Sequence, residues 1–279
     1  MARSGRGTND PARIREIFFE AETIRKHFET AHLGRVGIWP GVHHGRLYSN
    51  AARRPLLIEG ATPTGQFAVR FNRAEDTCME SERDQFYPMH NPSSYITVVK
   101  NTLASGSLLI PNGVSGPYGS GIFHLSDWRG VGGGWFRHPQ LALQAGHHSV
   151  EYWISSGSDG RGVGLPSGDV TVDTDWHVIA QRVRDNEQRI SFDGGAEFVS
   201  TTVVRSDSGS APYGPIMPYK KLSLVVGGAF TCNAVQGSPD TPNQRPFEGE
   251  LAMLHLWPES LPDDRWAEEI ARVTEKYIG

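Results

Sequence analysis

Cysteine is nearly absent from this chain. Cys78 and Cys232 are the only two in 279 residues, which excludes a disulfide framework. No apolar run approaches the ~20 residues a membrane-spanning helix needs, so membrane insertion is not expected. Charge of one sign is also lacking: 27 Lys and Arg stand against 31 Asp and Glu, a net −4 with no basic stripe, which argues against nucleic-acid binding. Met1-Ala2-Arg3-Ser4-Gly5-Arg6-Gly7 carries charge but no apolar stretch behind it. It does not read as a secretory signal, and the chain is expected to be made in the cytoplasm. The common catalytic spacings are missing too. There is no His-x-x-x-His, no Cys-x-x-Cys and no Gly-x-Ser-x-Gly, and Gly132-Gly133-Gly134 lacks the Lys-Ser/Thr ending of a phosphate loop.

Glycine (32), proline (18) and aromatic residues are plentiful instead. That mixture suits many short strands joined by tight turns, and the length suits one large all-β domain with an appendage. The strand signals are clearest in the last third. Along Trp176-His177-Val178-Ile179-Ala180-Gln181, side-chain alternation sets Trp176, Val178 and Ala180 on one face. Ile190 and Phe192 repeat the pattern in the next strand. Asp193-Gly194 follows as a hairpin turn, where glycine supplies a positive φ, and Glu197-Phe198-Val199 can return as the partner strand. Residues 250–257 are apolar on both faces, with Ala252, Leu254 and Leu256 opposite Leu251, Met253 and Trp257, as in a doubly buried strand; Pro258 ends it. Pro262, Asp263 and Asp264 then open a helix, in which Trp266, Ile270, Val273 and Tyr277 form a single stripe. Upstream, Phe67, Val69 and Phe71 share a strand face, and Tyr95–Val99 reads as a strand.

These blocks, in this order, resemble the laminin-G-like branch of the concanavalin A-like lectin/glucanase superfamily. The resemblance is carried by the Trp-His-x-x-Ala strand, the Phe-Asp-Gly hairpin, the Val225-Val226-Gly227-Gly228 strand, the Phe247-Glu248-Gly249-Glu250-Leu251-Ala252 strand and the closing helix. It covers residues 165–279 most clearly and extends to 62–279. It implies a jelly-roll sandwich of two antiparallel sheets and binding of glycans or proteins, sometimes with calcium. Some members of the wider superfamily are glycosidases or polysaccharide lyases.

Three segments are expected. Residues 1–34 form a tail and an amphipathic helix, which opens at Asp10-Pro11 and carries an apolar stripe through Ile14, Ile17, Ala21, Ile24 and Phe28. Residues 35–61 form a loop-rich linker, and residues 62–279 form the jelly roll. Three groups of residues could carry chemistry. Glu80, Glu82 and Asp84 alternate as the acids of a glycosidase would on a strand, although their order differs from the glucanase pattern and the flanks read as a solvated acidic turn. Tyr118, His124, Asp127, Trp128, Arg129 and Trp135 combine aromatic faces with polar groups, as a sugar site does. Asp173 and Asp175 precede the Trp176 strand and are the calcium candidates, although calcium takes six or more oxygens; no other cofactor is expected. The expected role is a non-catalytic, lectin-like module in a multi-protein assembly such as a bacteriophage particle. It would contact other subunits through the N-terminal helix and cell-surface glycan through its loops. A polysaccharide-active enzyme and a free carbohydrate-binding protein are the alternatives.

Overall fold

The computed structural model describes residues 16–26, 31–32, 34–43, 45–82, 93–102, 120–126, 137–143, 173–184, 187–200, 223–228 and 247–279. In chain order the elements are β1 (Ile17–Glu20), α1 (Glu22–Lys26), β2 (Ala31–His32), β3 (Arg35–Val36), β4 (Ile38–Pro40), β5 (Arg46–Tyr48), β6 (Leu56–Ile58), β7 (Ala68–Phe71), β8 (Met79–Ser81), β9 (Ser93–Asn101), β10 (Ser120–Ser126), β11 (Arg137–Leu143), β12 (Trp176–Arg184), β13 (Glu187–Phe192), β14 (Phe198–Ser200), β15 (Ser223–Val226), β16 (Gly249–Trp257) and α2 (Asp263–Tyr277). Among the described residues they make two antiparallel sheets. One has ten strands, ordered β14-β13-β12-β9-β16-β7-β6-β3-β2 with β1 also paired to β16; the other has six, ordered β11-β10-β15-β8-β5-β4. The protein is an all-β sandwich with a short C-terminal helix, as its strand signals imply.

Two apolar layers hold it. Between the sheets, Phe19, Val69, Phe71, Val99, Ile179 and Leu254 of the larger sheet meet Trp39, Leu47, Met79, Phe123 and Leu224 of the smaller one. On the far side of the larger sheet, Ile96, Val98, Trp176, Val178, Ala180 and Trp257 meet Leu261 and the α2 residues Trp266, Ile270, Val273 and Tyr277. Burying side chains of this size contributes ~1.5–3 kcal/mol each, which is what docks a 15-residue helix on a sheet. Every residue of β16 is buried because it faces one layer on each side.

A bulge sets the phase of β16. Leu251 lies opposite Val99 of β9, but Met253 lies opposite Val98, so Ala252 is an extra residue in the ladder. Such an insertion turns the strand by one side chain. Leu251, Leu254 and Leu256 therefore face the inter-sheet core, while Ala252, Met253 and Trp257 face α2. Simple alternation puts Leu251 and Ala252 on the wrong faces. The bulge also marks where β16 changes partner, from β7 at 249–251 to β1 at 253–256. The Ala21 N–H donates to the Ala252 carbonyl at 2.9 Å.

The N-terminal segment is the main correction. Residues 17–20, expected in a long amphipathic helix, are a strand of the larger sheet, and among the described residues of this segment the helix is Glu22–Lys26. Ile17 and Phe19 are fully buried, with Phe18 and Glu20 half-buried, so period-two burial against β16 overrides a stripe that also fits period 3.6. Glu20 ties this strand to α2: its carboxylate accepts from Lys276 Nζ at 2.7 Å and from the Tyr277 hydroxyl at 3.1 Å. Residues 35–61, expected to be a linker, supply β3 and β6 to the larger sheet and β4 and β5 to the smaller one. The indole of Trp39 in that segment is wholly buried and donates to the Glu20 carbonyl at 2.9 Å.

Candidate functional site

Glu80 and Glu82, expected in a solvated acidic turn, lie in and just beside a strand. β8 is flanked by β5 and β15, and its register runs Tyr48 opposite Glu80 and Glu80 opposite Val225. It continues with Val225 opposite position 124 on β10. Residues at one register position share a face. Because Met79, Leu224 and Val226 point into the inter-sheet core, this row lies on the outward face of the smaller sheet. One candidate from the acidic group and the backbone position of His124 thus fall on one face, only two strands apart. Glu80 is buried and Glu82 exposed. The Tyr48 hydroxyl donates to Glu82 Oε1 at 3.2 Å. A phenol ring beside an exposed carboxylate offers an apolar surface and a hydrogen-bond acceptor, the mixture that holds a polar ligand with a C–H face. Asp84, Tyr118, Asp127, Trp128, Arg129 and Trp135 lie outside the described residues.

A second cluster sits at the β13–β14 hairpin. Asp193 and Gly194 both have positive φ, at 50° and 70°. The Gly195 N–H donates to the Phe192 carbonyl at 2.8 Å, which closes the tight turn expected from Asp-Gly. Asp193 Oδ1 accepts the Val178 N–H at 2.7 Å, and Oδ2 meets His177 Nδ1 at 2.8 Å. The other ring nitrogen meets Asp173 Oδ1 at 2.7 Å, an oxygen that also accepts the Asp175 N–H at 2.8 Å. Hydrogen bonding to Asp193, reinforced by Asp173 and opposed by burial, lifts His177 to a pKa of about 9. At neutral pH a cationic imidazolium therefore sits between the two carboxylates. The calcium candidate Asp173 is turned onto His177, and Asp175 engages it through the backbone. Among the described residues no group of three His, Cys, Asp or Glu side chains forms a metal-holding cluster.

Next to this hairpin a groove of about 750 Å³ opens between α2 and the outer edge of the larger sheet. Arg182 anchors its floor. This buried guanidinium donates to Asp263 Oδ1 at 2.5 Å, to Glu197 at 3.1 and 3.3 Å and to the Leu261 carbonyl at 3.2 Å, and lies 5.3 Å from the Trp266 ring centre. Arg189 shares Glu197 at 3.0 Å. The sequence reading missed this groove. Its one signal was Arg182 itself, which alternation places on the same face as Trp176, Val178 and Ala180; a cation there needs carboxylate partners.

At the first β strand a different histidine is held neutral. His255 stacks on Phe18 with ring centres 4.1 Å apart and lies 3.6 Å from the Trp257 ring. Burial, reinforced by the nearby guanidiniums of Arg272 and Arg265 and the neighbouring His43, presses its pKa down to about 3. Its contact with Glu16 at 3.2 Å is consequently a hydrogen bond from a neutral imidazole rather than an ion pair.

No protein-family model matches the chain, and no curated protein matches it significantly. Solved structures do. The binding domain of Paraclostridial mosquitocidal protein 1 aligns with 88% of this chain at 9% identity and a TM-score of 0.50. The ligand-binding domain of botulinum neurotoxin serotype D, solved in complex with N-acetylneuraminic acid, aligns with 93% at 8% identity and a TM-score of 0.50. This chain shares their fold, an all-β sandwich. It spans about half of those two structures, 51% and 50%. Domain 4 of AbnA, a GH43 extracellular arabinanase from Geobacillus stearothermophilus solved with arabinotriose, aligns over 82% of this chain and 88% of its own at 15% identity and a TM-score of 0.46.

Proposed function

We propose that this chain is a non-catalytic, laminin-G-like glycan-recognition module and that the outward face of the six-stranded sheet is its binding surface. The observation that carries the proposal is the exposed Glu82 carboxylate held by the half-buried Tyr48 hydroxyl, next to the register row of Tyr48 and the buried Glu80. A toxin domain of the same fold, solved with N-acetylneuraminic acid, supports a saccharide as ligand. Screening the protein on a glycan array that includes sialylated and arabinose-containing oligosaccharides tests this. The expected result is binding that falls at least tenfold in Glu82→Gln and severalfold in Tyr48→Phe, the loss of a hydrogen bond to a charged group being ~1.5–3 kcal/mol. Binding unchanged in both variants, or none on the array, overturns the proposal.

The buried and exposed carboxylates two residues apart also favour a second reading, a polysaccharide-active enzyme. Turnover of a polysaccharide by the parent protein that disappears in Glu82→Gln would establish it. The proposal extends to membership of a multi-protein particle of the bacteriophage kind, but not through an N-terminal docking helix, because residues 17–20 are built into the sheet.

A further inference from the structure

We propose that the saccharide held on the outward face of the six-stranded sheet is an acidic one, whose sugar carboxylate is bound by Arg46. This inference rests on the glycan reading of that face and names the class of ligand it takes. β5 alternates cleanly. Leu47 is fully buried in the inter-sheet core, while Arg46 is exposed and Tyr48 half-buried, so Arg46 and Tyr48 project together from the outward face. On β4, Pro40 lies opposite Arg46 and Ile38 opposite Tyr48, both half-buried. On β8, Ser81 lies opposite Leu47 and Glu80 opposite Tyr48. Carried one residue further, that ladder sets Glu82 opposite Arg46, at a Cβ separation of about 5 Å.

The guanidinium nonetheless stands open. Glu82 turns its Oε1 to the Tyr48 hydroxyl at 3.2 Å, and Arg46 makes no ion pair or side-chain hydrogen bond among the described residues. Arg35, Arg53 and Arg70, by contrast, hold Glu75, Asp76 and Glu250. Arg46 is also exposed to solvent, so a ligand can reach its donors without any rearrangement of the sheet.

Three neighbouring groups then differ in what they take. Arg46 offers a planar fork of donors, Glu82 offers acceptors, and Tyr48 offers an apolar ring. A neutral sugar gives Glu82 its hydroxyl donors and lays C–H groups beside Tyr48, but it leaves the guanidinium unused. A phosphate or sulfate ion engages Arg46, but it brings no apolar face and meets Glu82 as a like charge. A sugar acid uses all three. Its carboxylate accepts two parallel hydrogen bonds from Arg46, its ring hydroxyls donate to Glu82, and its ring lies beside Tyr48, Ile38 and Pro40. Sialic and uronic acids share this chemistry.

Isothermal titration of the whole chain at 0.15 M salt tests it. The probes are 3′-sialyllactose, a galacturonate trisaccharide, the carboxyl-reduced form of each, and lactose and arabinotriose as neutral glycans. At least one of the two acids is expected to bind tenfold or more tighter than its reduced form, and which one does so separates a sialic from a uronic ligand. Arg46→Gln is expected to abolish that preference at an unchanged melting temperature, since the side chain is exposed. Acids bound no more tightly than their reduced forms overturn the inference, and so does a preference that survives Arg46→Gln. In either case, binding of a neutral glycan that falls in Glu82→Gln leaves the glycan reading standing without it. Binding of none of the probes overturns both.

Discussion

At the residue scale, two histidines of opposite character govern the response to pH. His177 has a folded pKa of about 9 against an ordinary value of 6.5. The stability it contributes is complete below pH 6.5 and is lost as pH rises through 9. With side chains of Asp173 and Asp193 nearly half exposed, that contribution is on the order of 2 kcal/mol after screening. His255 runs the other way, with a folded value of about 3. The unfolded chain binds its proton first, so its contribution is complete above pH 6.5 and is lost as pH falls toward 3. Thermal melts against pH are expected to show a maximum near pH 6.5, where the two limbs meet. His177→Gln should flatten the alkaline limb alone, and His255→Phe the acidic limb alone. Limbs unchanged in both variants would show that other groups govern them.

At the scale of elements, the segment after β15 turns on one glycine. Gly227 has φ +80°, and a Cβ there would lie 2.1 Å from the Phe71 ring. Phe71 is a fully buried member of the inter-sheet core, so it cannot withdraw without opening a void. Gly227→Ala combines backbone strain with overpacking, and is expected to cost ~3 kcal/mol or more. A denaturant midpoint within error of the parent protein would refute this. The motif Val-Val-Gly-Gly was legible in the sequence as a strand, but that the strand ends at Val226 and why the glycine is there were not, because Phe71 lies more than 150 residues earlier in the chain. The Asp193-Gly194 turn and the positive φ of its glycine were legible, since turn chemistry acts locally; the positive φ of Asp193 was not. The Ala252 bulge was not, because it exists to let β16 change partner from β7 to β1.

At the scale of the whole molecule, the N-terminal strand and C-terminal helix close the fold together. Ile17 and Phe19 are fully buried in the inter-sheet core, and Glu20 is joined to Lys276 and Tyr277 of α2. Burial of the two side chains and the ladder to β16 contribute ~5 kcal/mol, a large share of the 5–15 kcal/mol typical of a domain. Deletion of residues 1–21 is therefore expected to lower the melting temperature by more than 10 °C or to leave the chain insoluble. A dispensable docking helix could be removed with no change in melting temperature, so circular dichroism melts of the two proteins distinguish the architectures.

The order of strands in the last third, the tight turn and the buried stripe of α2 were determined by the sequence alone, because alternation, turn chemistry and helical period act between near neighbours. Which carboxylates meet which cations, that Glu80 is buried while Glu82 is exposed, and that residues 17–20 are a strand were decided only in three dimensions. Each of these depends on a partner from a distant part of the chain. Ile17 fits a helical stripe with Ala21 and Ile24 as well as a strand face with Phe19, until β16 offers an open ladder on which Ile17 and Phe19 can be buried.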